Sequence, residues 1–151
     1  MDKQKSDEKV KELFDSVGDC IEVFSCAFDG KKSIFGKEVP ISQVGTLYVT
    51  EEALCFYSDL FKTKLCLPFA NIALVLKEAT LGVDTALSIR TNDRTIYMFR
   101  SFLSRDLAYD MISARAEAAR KSAESLHMLD AIHMPTKAFG FEIPKLSFGR
   151  K

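Results

Sequence analysis

The stretch GTLYVTEEALCFYSDLF, residues 45–61, decides how the chain is read. Two apolar runs, LYV and ALCFY, stand a few residues apart, which suits antiparallel strands joined by a tight turn near Thr50 and Glu51. The second run puts Cys55 and Tyr57 where a simple amphipathic strand would carry polar residues.

Outward from this hairpin the chain keeps a two-residue period. Strands are expected over 20–30, 44–50, 51–58, 63–69, 71–79, 85–91 and 94–102. Asp29-Gly30 is a turn signal, so KKSIFGKEVPISQ, residues 31–43, is expected to form a loop. Seven short strands at even spacing favour an all-β sandwich or barrel over a parallel βαβ sheet.

Helical spacing frames the strands. Residues 6–16 suit a short helix with Val10, Leu13 and Phe14 on one face and Ser6 as its cap. Ser104 is the expected cap of a second helix over 104–127, with Asp106 favoured by the dipole in the first turn. Its apolar face covers two turns, through Ile112, so its first half is expected to pack and its alanine-rich second half to project. The expected organisation is an N-terminal segment 1–19, a domain 20–127 and an extended tail 128–151.

Composition excludes several functions. Among 151 residues, 21 basic and 21 acidic side chains cancel, which argues against a nucleic-acid binder. No uncharged run is long enough to span a bilayer as a helix. The charged start is unlike a secretory signal, and Asp2 and the terminal FGRK match no lipidation motif. The expected location is therefore the cytoplasm or the cytosolic faces of membranes. Cys20, Cys26, Cys55 and Cys66 lie in apolar runs without CxxC spacing, which predicts reduced core thiols and no metal site. Neither a phosphate loop nor HExxH occurs, so no catalytic residue and no cofactor is expected.

FSCAF (24–28), the opening stretch, LPFANIALVLKEA (67–79) and ALSIRT…RTIYMFRSFLSRDLAYDMI (86–112) follow one another in an order that resembles the GRAM domain family. The resemblance covers about residues 20–115. It implies a pleckstrin-homology-like fold: a seven-stranded bent β-sandwich, or partly open barrel, capped by a C-terminal helix. In that fold a central strand is covered on both faces. Leu54 and Phe56 would face inward, while Cys55 and Tyr57 pack against the N-terminal segment or a neighbouring strand. No cysteine is followed six positions later by arginine, so the phosphatase loop found elsewhere in myotubularins is absent.

Residues 29–42 offer the best candidate site. Lys31, Lys32 and Lys37 flank Ile34 and Phe35, a pattern suited to cations on lipid phosphates with a shallow apolar insertion. The resemblance adds Lys62 and Lys64 by analogy with headgroup sites in related domains, and Arg94 at the margin. The expected partner is an anionic membrane lipid, a phosphoinositide or phosphatidylserine. Two other readings stay open: a mouth-covering loop with solvated lysines, and an adaptor binding protein through a sheet edge, the helix or the tail.

Overall fold

The computed structural model describes residues 3–133. In chain order its elements are α1 (Lys3–Leu13), β1 (Cys20–Ile34), β2 (Lys37–Thr50), β3 (Ala53–Ser58) and β4 (Thr63–Pro68). A 3-10 turn, Phe69–Asn71, then leads to β5 (Ile72–Thr80), β6 (Val83–Thr91), β7 (Ile96–Arg100) and α2 (Arg105–His133). The chain divides into two compact units, 1–119 and 120–151. The first holds the sheet, α1 and the opening turns of α2; the described part of the second, 120–133, is helical.

All strand pairs are antiparallel, in the order β4-β3-β2-β1-β7-β6-β5. In a flat sheet β3 and β7 would lie three strand spacings apart, about 14 Å. The rings of Phe56 and Phe99, on those strands, have centroids 5.7 Å apart. The sheet is therefore folded over on itself, and Leu47, Leu54, Phe56, Leu87, Ile89 and Phe99 fill the space between its halves. Ala108, Ile112 and Ala116 of α2 close this core.

A second, smaller core lies on the outer face of β2 and β3. Val10 of α1, with Phe14 and Val17 just past its end, covers Cys20, Tyr48, Ala53 and Cys55. Asp7 Oδ1 accepts a hydrogen bond from the Cys20 amide at 2.8 Å, fixing the helix to the start of β1. Lys9 Nζ sits 5.6 Å from the centre of the Tyr57 ring. The double cover expected for residues 53–57 is thus present, with α1 as the outer layer.

Several boundaries differ from expectation. α1 starts at Lys3, so Ser6 is a buried residue within the helix and not its cap. It ends at Leu13, before the left-handed backbone of Ser16 and Gly18 turns the chain into β1. α2 continues to His133, because no proline or glycine interrupts 105–133. Residues 128–133, expected in an extended tail, are therefore helical; the tail from 134 onward lies outside the described residues. Cys66 is exposed on edge strand β4, whereas Cys20, Cys26 and Cys55 are buried as expected. Burial pushes the Cys26 thiol up to about 12.

The largest correction concerns 31–43, which is strand and not loop. β1 and β2 pair continuously from Phe24↔Leu47 to Ile34↔Lys37. Gly30 is extended, in mid-strand, paired with Ile41, and a Cβ there would collide with the Gln43 side-chain amide of the neighbouring strand. The turn comes instead at Phe35-Gly36, with φ of 51° and 78°, a two-residue hairpin loop with both residues left-handed.

Candidate membrane-contact surface

β1 and β2 outrun the rest of the sheet. β7 pairs with β1 at Ala27 and Phe28, and β3 pairs with β2 from Thr46 to Val49. From Asp29↔Ser42 to Ile34↔Lys37 the two strands pair only with each other. The result is a two-stranded arm reaching about 20 Å past its neighbours. Pro40 is tolerated there, since each arm strand has one free edge and needs no ladder partner on that side. Residues 31–40 are all exposed.

Directly opposed residues share a face of a β-ribbon, so the register sorts the arm's side chains. The face continuous with Phe24, Cys26 and Leu47 of the core carries Ile41, Lys32, Val39, Ile34 and Lys37. It is apolar and cationic, with no acidic residue. The opposite face carries Asp29, Ser42, Lys31, Pro40, Ser33 and Glu38. There the charges are paired: Lys31 Nζ lies 3.8 Å from Glu38 Oε1, and Arg100 Nε donates to Asp29 Oδ2 at 2.7 Å. Among the described residues Lys32 and Lys37 make no ion pair.

Phe35 stands at the tip, fully exposed and in a left-handed conformation that bulky residues rarely adopt. Its position leaves an aromatic ring in water at the most distant point of the arm. Ile34 and Val39, behind it, are 40% and 36% exposed.

The other expected site residues lie elsewhere. Lys62 is in the β3–β4 turn and pairs with Asp59 at 3.7 Å. Ser58 Oγ donates to the Val44 carbonyl, which sets that turn level with Ala27, about 17 Å along the strand from Lys32. Lys64 is exposed on β4 opposite Tyr57, on the outer face. Arg94 is exposed in the β6–β7 turn with a φ of 71°. The sheet thus groups Lys32 and Lys37 with Ile34 and Phe35, and sets Lys31 on the reverse of the same arm. It does not gather these cations into one pocket. Val39 and Ile41 escaped the sequence reading because Pro40 broke the alternation that would have exposed them.

Arg105, at the start of α2, holds the helix to the sheet. Its Nη1 donates to the Glu78 and Ala86 carbonyls at 3.0 and 3.2 Å, and its Nε to Asp106 at 2.9 Å. Lys77 also pairs with Asp106 at 3.1 Å. The Arg105 hydrogen bond, then Lys77, hold the Asp106 carboxyl below its ordinary range. Among the described residues no helix is long and apolar enough to cross a membrane. Among those same residues no cluster of three His, Cys, Asp or Glu side chains is arranged to hold a metal.

A seven-stranded sheet bent around one core and closed by a C-terminal helix defines a pleckstrin-homology-like domain. The GRAM domain model matches residues 6–120, and the chain belongs to the GRAM domain family. Domains of this family are membrane-associated or lipid-binding modules, and its proteins are generally non-catalytic adaptors.

Among relatives, the Arabidopsis thaliana protein VASCULAR ASSOCIATED DEATH 1, chloroplastic is 34% identical over 110 residues, covering 70% of this chain and 17% of that protein. Mouse GRAM domain-containing protein 2A is 37% identical over 71 residues, 45% of this chain and 22% of its own length. A Schizosaccharomyces pombe protein named as an uncharacterized membrane protein is 37% identical over 73 residues, 46% of this chain and 9% of its own. The chain therefore spans less than a quarter of the length of these relatives. The crystal structure of the C-terminal domain of an unknown Leishmania infantum protein superposes with a TM-score of 0.55. It is 21% identical and covers 75% of this chain and 93% of that one, a likeness of fold.

Proposed function

We propose that the chain is a non-catalytic reader of anionic lipid, phosphoinositide or phosphatidylserine, on a cytosolic membrane face, and that the β1–β2 arm is its contact. The observation that carries this reading is the sorting of the arm by register: one face holds Ile34, Val39, Ile41, Lys32 and Lys37 without an acid. Laid on a bilayer, that face puts ammonium groups at the phosphates while Phe35 and Ile34 enter the interface. Each lysine near an anionic leaflet contributes about 1 kcal/mol. Two such lysines with a shallow apolar tip give weak, reversible attachment.

Co-sedimentation with neutral and anionic vesicles, at low and near-physiological salt, tests the reading. Binding to phosphatidylserine or phosphoinositide vesicles that declines with salt is the expected result. Equal binding to neutral vesicles, or none to either, overturns it and turns attention to a protein partner.

A further inference from the structure

Cys55 and Cys66 stand directly opposite each other on β3 and β4, with their sulfurs 3.8 Å apart. Opposed residues of an antiparallel pair have Cα atoms about 4.5 to 5.5 Å apart. That separation lies within the range of about 4.4 to 6.8 Å spanned by disulfides. Closing the remaining gap to an S–S bond takes side-chain rotation and no movement of the strands. The two thiols differ in access. Cys55 is fully buried beneath α1, in the core with Val10, Phe14 and Tyr48. Cys66 is exposed and lines an open groove with Val17, Ile21, Pro68 and Met111.

We propose that Cys66 and Cys55 form a modification site for low-molecular-weight disulfides of the glutathione type, Cys66 as the entry thiol and Cys55 as the resolving thiol. The Cys66 thiolate attacks one sulfur of glutathione disulfide, the S–S bond breaks, and one glutathione thiolate leaves with the electron pair. Cys55 then gives up its proton and attacks the Cys66 sulfur of the mixed disulfide, expelling the second glutathione thiolate. Two protein thiols are oxidised to one cross-strand disulfide, and one glutathione disulfide is reduced to two glutathiones that take up the two protons. Burial pushes the Cys55 thiol up, which assigns first attack to Cys66. Cys20 lies in the same buried core as Cys55 and, like it, is closed to solvent. The bond would lock edge strand β4 to β3.

Trypsin separates the candidates, because Cys55 falls in residues 38–62, Cys66 in 65–77, and Cys20 with Cys26 in 12–31. The folded full chain is treated with glutathione disulfide, alkylated, digested and mapped by mass. Residues 38–62 joined to 65–77, with loss of two hydrogens from the intact chain, is the expected result. Cys66→Ser, an exposed substitution that leaves the fold intact, is then expected to leave 38–62 unmodified. The proposal is overturned if 12–31 is joined to either peptide, if glutathione stays on 65–77 without resolution, or if native and Cys66→Ser protein behave alike.

Discussion

Two double charge reversals, matched in net charge and opposed in face, separate a membrane-binding surface from general electrostatic attraction. The inner-face variant is Lys32→Glu with Lys37→Glu. The outer-face variant is Lys31→Glu with Lys64→Glu, since the register sets Lys31 and Lys64 on the reverse of the sheet. Each reversal at the lipid surface removes about 1 kcal/mol of attraction and adds a similar repulsion, so the inner pair costs about 4 kcal/mol. At 1.4 kcal/mol per decade that is a loss of nearly a thousandfold.

Of the outer pair, Lys31 stands farther from the lipid by roughly the thickness of the ribbon with its side chains, about 10 Å, and Lys64, on β4 beyond the arm, stands farther still. One Debye length at 0.1 M salt is also about 10 Å, so the effect of Lys31 falls by a factor of about three and that of Lys64 by more, for a combined loss of about tenfold at most. Vesicle binding measured at that salt should thus disappear for the inner variant and persist, weakened, for the outer one. Equal losses would refute the argument from register, because every surface lysine would then count alike. A greater loss for the outer variant would place the membrane on the other face.

Other substitutions probe what holds the domain in shape. Arg105→Met leaves the Glu78 and Ala86 carbonyls without their guanidinium donor and should cost about 1 to 3 kcal/mol, read from urea unfolding. Arg105→Lys should recover only part of that, since one ammonium cannot reproduce the fork. Asp106→Asn should lower stability near neutral pH. Because the folded-state carboxyl lies below its ordinary 3.8, its contribution is present above that value and lost as pH falls through the lowered one. Thermal melts should therefore show the native and variant curves converging as the pH drops below 3.8. Phe14→Ala, removing most of a buried ring from the outer core, should cost about 3 kcal/mol in the same urea assay.

Residues 53–57 were legible because each carries an unbroken physical demand. A strand with apolar side chains at every position needs two covers, and Val10 with Phe14 supplied the outer one from a segment whose helical spacing was also visible. The arm was hidden by three local signals with nonlocal causes. Asp29-Gly30 resembles a turn, yet Gly30 is there because the Gln43 side chain crosses its face. Pro40 resembles a strand breaker, yet a ribbon with free edges accepts it. Phe35 is an improbable residue for a left-handed turn position, and sequence reasoning places such turns at Asn, Asp or Gly. Grouping the lysines failed for the same reason. Which of them share a face depends on register, and an error of one residue exchanges the faces.

The family signature and the proposed contact surface consequently lie on different stretches of chain. Within 45–61 the strand positions 47–50 and 53–56 are committed to packing: a Cβ at Gly45 would meet the Tyr57 carbonyl at 2.5 Å, and Leu47, Leu54 and Phe56 have no exposed surface to offer a ligand. They make the fold recognisable and leave its ligand unstated. The arm carries the same alternation beyond the point where β3 and β7 stop, so the face that is core at Phe24 and Cys26 becomes surface at Ile34 and Val39. An apolar row that no other strand among the described residues covers has a membrane interface as a fitting partner once lysines take the intervening places. Lys32 and Lys37 occupy those places, and the acids of the arm are held on the opposite face.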